Sequence, residues 1–224
     1  MRLVLLGPPG VGKGTEAGLL SQRLNLDHIS TGDMLRNEVK EKTPLGREAE
    51  DFMAKGRLVP DALIMAMVRK RLNQGDKLGY GRGFVLDGIP RTIAQAEELE
   101  DILREIDRPL DFVIDLVAGE KVLISRLSGR RVCKKCQALY HIINMPSKRE
   151  GVCDRCGGEL YQRVDDQVET IRHRLKVYQK ETFGLKDFYK KKGILLTINA
   201  EGEVEETFVK IKSFLLSKCD CSSL

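Results

Sequence analysis

Short apolar runs rich in branched residues alternate with longer amphipathic stretches along this chain. Residues 3–6 predict a strand followed by a helical pattern to residue 24; residues 84–86 predict another, followed by a helix from 92 to about 106. Residues 112–116 lead into a helix from about 120 to 127, and residues 194–198 into one over 204–216. These strands are continuously apolar, the pattern of strands buried on both faces, so the expected fold is α/β: a doubly wound parallel sheet with helices on both sides. His28-Ile29-Ser30 supplies the fifth strand.

Two segments break the alternation. Residues 30–59 read as two helices with no strand between them, Pro44 opening the second and Gly56 closing it, which makes a helical insertion. Residues 129–166 show little helical periodicity, carry two Cys-x-x-Cys pairs, and place Gly151, Gly157 and Gly158 in turns. They read as a small unit folded around a metal. The core is then residues 1–29, 60–128 and 167–224. Lys190-Lys191-Lys192 reads as a solvated helix end.

Composition narrows the classes. With 42% hydrophobic and 32% charged residues in 224, the chain has the balance of a globular protein, neither disordered nor collagenous. No apolar run approaches the roughly 20 residues of a membrane span, and the first strand turns into a glycine loop before any cleavage pattern could form, so a cytoplasmic protein is expected. Lys+Arg 38 against Asp+Glu 33 leaves +5, which suits small phosphorylated ligands and falls short of a nucleic-acid-binding balance. A reducing compartment would not keep six cysteines as disulfides, and four of them in two close pairs indicate metal.

Directly after the first strand stands Gly7-Pro8-Pro9-Gly10-Val11-Gly12-Lys13-Gly14-Thr15. Glycines here let backbone amides turn inward on a phosphate, at the N-terminus of a helix whose dipole favours anions. The spacing is G-x-x-x-x-G-K, a P-loop, with Gly10 to Thr15 around a ligand's phosphates and Lys13 reaching the terminal ones; the hydroxyl expected on Mg²⁺ comes one residue late, at Thr15. Asp87 ends a strand where ligands bind in open parallel sheets, and could hold Mg²⁺ through water.

That loop, together with Ile29-Ser30-Thr31-Gly32-Asp33-Met34-Leu35-Arg36, Gly56-Arg57-Leu58-Val59, Asp87-Gly88-Ile89-Pro90-Arg91-Thr92 and Gly129-Arg130-Arg131, resembles the adenylate kinases and close nucleoside monophosphate kinases over essentially the whole chain. The resemblance implies a reversible, Mg²⁺-dependent transferase that moves the terminal phosphoryl group of ATP to AMP, giving two ADP, in adenine nucleotide homeostasis. It implies AMP contacts from Thr31, Arg36, Arg57, Leu58, Val59, Gly88, Ile89, Pro90, Arg91 and Gln95. It also implies a set of cations for the transfer, Lys13, Arg36, Arg91, Arg130, Arg163 and Arg174, of which Arg163 and Arg174 serve the acceptor side too. Phosphoryl transfer needs alignment and neutralised charge more than a nucleophile, and arginine forks match phosphate, so the chemistry agrees. His28, His141 and His173 show no spacing that suggests a base. The chain departs from the family pattern at Ile89, where phenylalanine is usual, and at Glu16, where glutamine is usual. Ile89 keeps an apolar wall with less aromatic area, and Glu16 is expected to point away from the phosphates.

Cys133, Cys136, Cys153 and Cys156 supply four thiolates for a tetrahedral Zn²⁺. A site closed by four cysteines leaves no position for substrate, so its role is to fold a segment with too few apolar residues for its own core. The chain resembles the bacterial type of adenylate kinase with a long, zinc-bearing lid. In that type the donor base lies against the lid, which maps to Arg130, Leu139 and Tyr140, with a backbone contact at Gly202. The same resemblance implies a monomer with ATP, AMP and ADP as ligands, and no nucleic acid or membrane partner. Two competing readings are a sister kinase using GTP as donor or another monophosphate as acceptor, and a zinc-ribbon protein that binds nucleic acid through Lys134, Lys135 and Arg155. Cys219 and Cys221 belong to an expected frayed tail.

Overall fold

A computed structural model describes residues 1–77 and 83–218, so the expectation for Cys219 and Cys221 lies outside the described residues. The chain runs β1 (Arg2–Leu6), α1 (Lys13–Leu24), β2 (Asp27–Ser30), α2 (Thr31–Lys40), α3 (Pro44–Ala54), α4 (Asp61–Lys77), β3 (Phe84–Asp87), α5 (Ile93–Glu105), β4 (Phe112–Val117) and α6 (Glu120–Ser128). It continues with the short strands β5 (Arg130–Cys133), β6 (Leu139–His141) and β7 (Leu160–Tyr161), then α7 (Val168–Val177), α8 (Leu185–Lys191), β8 (Leu195–Asn199) and α9 (Val204–Lys218).

β2, β3, β1, β4 and β8 form, in that order, one five-stranded sheet whose pairings are all parallel, so His28-Ile29-Ser30 does belong to a strand. Alternate side chains build two apolar layers. Val4, Leu6, Leu86 and Val113 pack with Val68, Leu99 and Tyr189 on one face, while Leu3, Leu5, Val85 and Ile114 pack with Leu20, Phe208 and Ile211 on the other. The register sets Leu5 beside Asp87 and Leu6 beside Asp115, bringing the C-terminal ends of β1, β3 and β4 together, where open parallel sheets bind ligands.

In the expected insertion, α2 starts at a cap in which Ser30 accepts from Asp33 N, and α3 at Thr43, which accepts from Gly46 N ahead of Pro44. The cysteine-bearing segment is a three-stranded antiparallel sheet in the order β6-β5-β7 with few buried apolar side chains, and Ile142, Ile143 and Met145 stand exposed on it. Outside the cysteine-bearing segment, α4, α7 and a π-helical turn at Tyr178–Thr182 occupy stretches for which no element is predicted, while the basic run Lys190-Lys191-Lys192 does close a helix, α8. Among the described residues no helix is long and apolar enough to cross a membrane.

Candidate active site and metal centre

The P-loop leaves β1 through Gly7, at φ 136°, where a Cβ would lie 2.5 Å from Leu116 O; only glycine fits this tight exit. No side chain caps α1 at Gly12, among the described residues, which leaves the first amides of the helix to an anion. Lys13 Nζ folds back over the loop and donates to Gly7 O at 2.8 Å and Pro8 O at 3.0 Å. Burial brings its ammonium down to about 8; Asp87 opposes that shift, and Arg91, Arg174 and Arg130 add to it. Negative charge placed beside it would favour the ammonium form. Asp87 faces the same loop, for a Cβ on Gly14 would stand 3.3 Å from its Oδ2.

One pocket joins this loop to the acceptor side. Lys13, Thr31, Arg36, Arg57, Leu58, Val59, Gly88, Pro90, Arg91, Gln95 and Arg174 all line it. Ile89 does not: it is fully buried in the core layer, so its side chain is not the pocket wall that sequence suggests. Arg91 is positioned by its own turn, donating from Nε to Gly88 O at 2.8 Å, after a cis Ile89–Pro90 peptide. The buried Gln95 accepts from Arg91 N at 2.8 Å and donates from Nε2 to Asp61 Oδ1 at 2.6 Å. An amide carries two donors and two acceptor lone pairs, so one of each remains beyond these two bonds. Asp61 also accepts from Thr92 Oγ1 at 2.8 Å, and nothing in its local sequence marks it as the support for Gln95.

The expected arginines converge on an acidic pair that sequence reasoning missed. Asp166, wholly buried, accepts from Arg130 Nε at 2.8 Å and Nη2 at 2.6 Å, and Arg174 Nη1 reaches it at 3.3 Å. Asp165 pairs with Arg174 at 2.9 Å. Burial alone would raise Asp165, but Arg174, Arg130, Arg163 and Arg36 outweigh it and hold the carboxyl below its usual range. Arg163 is pushed down to about 10 by burial, with Arg36 and Arg130 adding like-charge repulsion, and its Nε is buried with no protein partner. Arg91 and Arg174 are likewise lowered by burial first and by neighbouring arginines after it. So many cations in one desolvated place are unfavourable alone, which is the property of a polyphosphate site.

On the donor side, Arg126 was also missed. It donates to Ala200 O at 2.7 Å, Glu201 O at 2.9 Å, Gly202 O at 3.2 Å and Val11 O at 3.4 Å, stitching the Gly202 loop to the P-loop. Glu16, in the first turn of α1, lies beside Glu205, Arg23 and Arg126 and does not line the pocket. Burial and then Glu205 raise its carboxyl to about 7.

The four cysteine Sγ atoms lie within 4.8 Å of one another, with Cys133 to Cys156 at 3.5 Å and Cys136 to Cys153 at 3.6 Å. Metal–sulfur bonds of about 2.3 Å give a tetrahedron with edges of about 3.8 Å, so the cluster fits a four-thiolate metal, whereas a disulfide needs about 2.05 Å. Cys136 N points at Cys133 Sγ from 3.4 Å, and the Tyr140 hydroxyl brings Cys153 down to about 6. Both favour the thiolate that a metal requires. Leu139 and Tyr140 lie on β6, beside Arg130 and Arg131 of β5.

A P-loop strand–helix unit, a pocket that runs from it to the Gly88–Arg91 turn and a cluster of arginines define a nucleoside monophosphate kinase, a phosphotransferase. The family model for adenylate kinase matches residues 5–194, and the chain belongs to that family. It is 49% identical to an adenylate kinase of Geobacillus sp. (strain WCH70) over 96% of this chain and 98% of the relative. It is 50% identical to one from Carboxydothermus hydrogenoformans over 96% and 99%, and 47% identical to one from Bacillus subtilis over 96% and 98%.

Proposed function

We propose that this adenylate kinase transfers the terminal phosphoryl group of ATP to AMP, reversibly, through the residues named above. The observation that carries the reading is the single pocket shared by Lys13, Arg36, Arg91 and Arg174 between the P-loop and the Gly88–Arg91 turn. Residues 10–15 hold the ATP phosphates, and Thr31, Arg36, the 57–59 backbone, the 88–91 turn and Gln95 hold AMP. Arg91, Arg130, Arg163 and Arg174 neutralise the moving group, a task that is almost wholly electrostatic. Asp87 would hold the Mg²⁺ that accompanies ATP, and the ion would supply charge neutralisation on the phosphates. Leu139, Tyr140 and the Gly202 loop frame the donor base.

On this reading residues 30–59 close over the acceptor and residues 129–166 over the donor, excluding water that would otherwise hydrolyse ATP. Zn²⁺ on the four cysteines is structural and holds the lid folded. The protein works as a cytoplasmic monomer and needs no nucleic acid. The one spare donor and acceptor of Gln95 favour adenine on the acceptor side.

A coupled assay that supplies ATP or GTP with each monophosphate in turn is the test. ATP with AMP is expected to give ADP fastest; absence of AMP-dependent ADP formation overturns the reading.

A further inference from the structure

The Tyr140 hydroxyl is engaged with the cysteine cluster. Asp154 N donates to it at 2.8 Å, and Cys153 Sγ lies 3.4 Å from it. A tyrosine hydroxyl owns one proton. Its oxygen is already accepting from the amide, so the O–H is the group left for sulfur, and a metal-bound thiolate can only accept. The donation therefore runs from Tyr140 to Cys153.

Both sides of this contact are anchored. β6 sets Tyr140 opposite Arg131, and the next residue, His141, accepts from Ile143 N and Asn144 N at its Nδ1, each at 3.1 Å, so its Nε2 donates to Ser125 O at 3.2 Å on α6. The ring also lies against Gly129, where a Cβ would come within 2.3 Å of Nε2. On the other side, the Asp154 carboxylate accepts from Lys148 N at 3.0 and 3.2 Å. The hydroxyl is thus a fixed point between a strand tied to the core and the turn that carries two of the four ligands.

We infer that Tyr140 is a positioning residue of the metal centre, orienting the Cys153 thiolate and the Cys153–Cys156 turn through its hydroxyl. This rests on the reading that the four cysteines hold a metal, and it gives Tyr140 a role that contact with a donor base does not supply. Hydrogen bonds from outside the ligand shell fix ligand orientation, and removing one typically weakens a metal site about 10–100-fold.

Tyr140→Phe keeps the ring and removes only the hydroxyl. In competition with a chromophoric chelator, the full-length variant is expected to bind Zn²⁺ about 10–100-fold more weakly than the parent. In the Co²⁺-substituted protein its thiolate-to-cobalt charge-transfer band is expected to shift, and metal-free melting is expected to match the metal-free parent. Parent affinity with an unchanged cobalt spectrum overturns the inference, as does an equal loss of melting temperature with and without metal, which would mark the hydroxyl as plain structural support. A parent protein that takes up no Zn²⁺ or Co²⁺ removes the metal reading itself, an outcome distinct from a variant that fails while the parent binds.

Discussion

Arg130 clasps Asp166 through two parallel hydrogen bonds, 2.8 Å from Nε and 2.6 Å from Nη2, and Asp166 has no exposed surface. The bond joins the first residue of β5 to the 3₁₀ turn Val164–Asp166 that follows β7, and Arg174 of α7 approaches the same carboxylate at 3.3 Å. Together Asp165 and Asp166 provide the negative charge that lets Arg130, Arg163 and Arg174 share one desolvated region.

Asp166→Ala should therefore be costly well beyond the loss of a surface ion pair. Removing one partner of a buried pair costs about 3–5 kcal/mol, and Arg130 keeps some access to solvent, so the low end applies. At about 2–4 °C per kcal/mol for a chain of this size, calorimetry of the nucleotide-free protein should show a melting temperature lower by roughly 6–12 °C. A change within a degree would mean that the pair contributes nothing net.

Glu16 gives a pH dependence of definite sign. It is 3% exposed, its Oε2 has no hydrogen-bond partner, and its carboxyl is raised from 4.5 to about 7 by burial and then by Glu205, with Arg23 and Arg126 opposing. Between those values the folded chain holds a proton that the unfolded chain has released, so the contribution of Glu16 to stability is fully present below about 4.5 and is lost as pH rises, levelling off above about 7. The whole window is worth about 3 kcal/mol. Glu16→Gln removes this titration: relative to the parent, the variant should gain stability from pH 5 to about pH 7 and no more above it in denaturant titrations. Parallel curves for the two proteins would show that Glu16 ionises normally.

Arg91→Ala tests the phosphate clamp. Arg91 stands beside Asp87, Arg36 and Arg174, lines the pocket, and is aimed by its bond to Gly88 O. A guanidinium that neutralises the transferring group contributes about 10³-fold or more, so turnover should fall by about that factor while the fold survives. Near-normal turnover would remove Arg91 from the clamp.

The strands were legible because parallel strands buried on both faces must be continuously apolar, and the P-loop and cysteine pairs because their chemistry requires fixed local spacing. What was not legible depends on partners far apart in the chain. Asp166 meets Arg130 across 36 residues, and Asp61 meets Gln95 across 34; locally each is one more aspartate at a helix start or in a turn. Arg126 looks like a solvated position on α6 until its four carbonyl partners are known. α7 buries only Ile171, so its sequence carries almost no apolar period. α4 is a different case: Ile64, Met65, Val68 and Leu72 are buried at helical spacing, a signal present in the sequence and left unassigned.

Cys133→Ser should lower zinc content and melting temperature together. Cys133 is buried and receives the Cys136 amide, and the segment it serves has few other buried apolar groups to hold it. A four-ligand structural site reduced to three thiolates loses most of its contribution to folding. Elemental analysis and calorimetry on one preparation read both quantities, and turnover at low temperature should remain largely intact. Unchanged melting would end the structural-metal account.

Asp61→Ala separates acceptor positioning from the chemistry. Its carboxylate takes hydrogen bonds from Gln95 Nε2 at 2.6 Å and Thr92 Oγ1 at 2.8 Å, so it fixes both the amide that faces the acceptor and the residue that caps α5, where Thr92 accepts from Gln95 N. Without it the buried Gln95 keeps only its bond from Arg91 N and can turn its donor away from the pocket. A hydrogen bond to a charged group is worth about 1.5–3 kcal/mol, so the KM for AMP should rise about 10- to 100-fold. Asp61 belongs to the acceptor side of the fold and touches none of the P-loop, so the KM for ATP should stay within about twofold of the parent. Asp61→Asn retains one acceptor and should lie between the two. Equal rises in both KM values would instead indicate a general loosening of the core around α4 and α5.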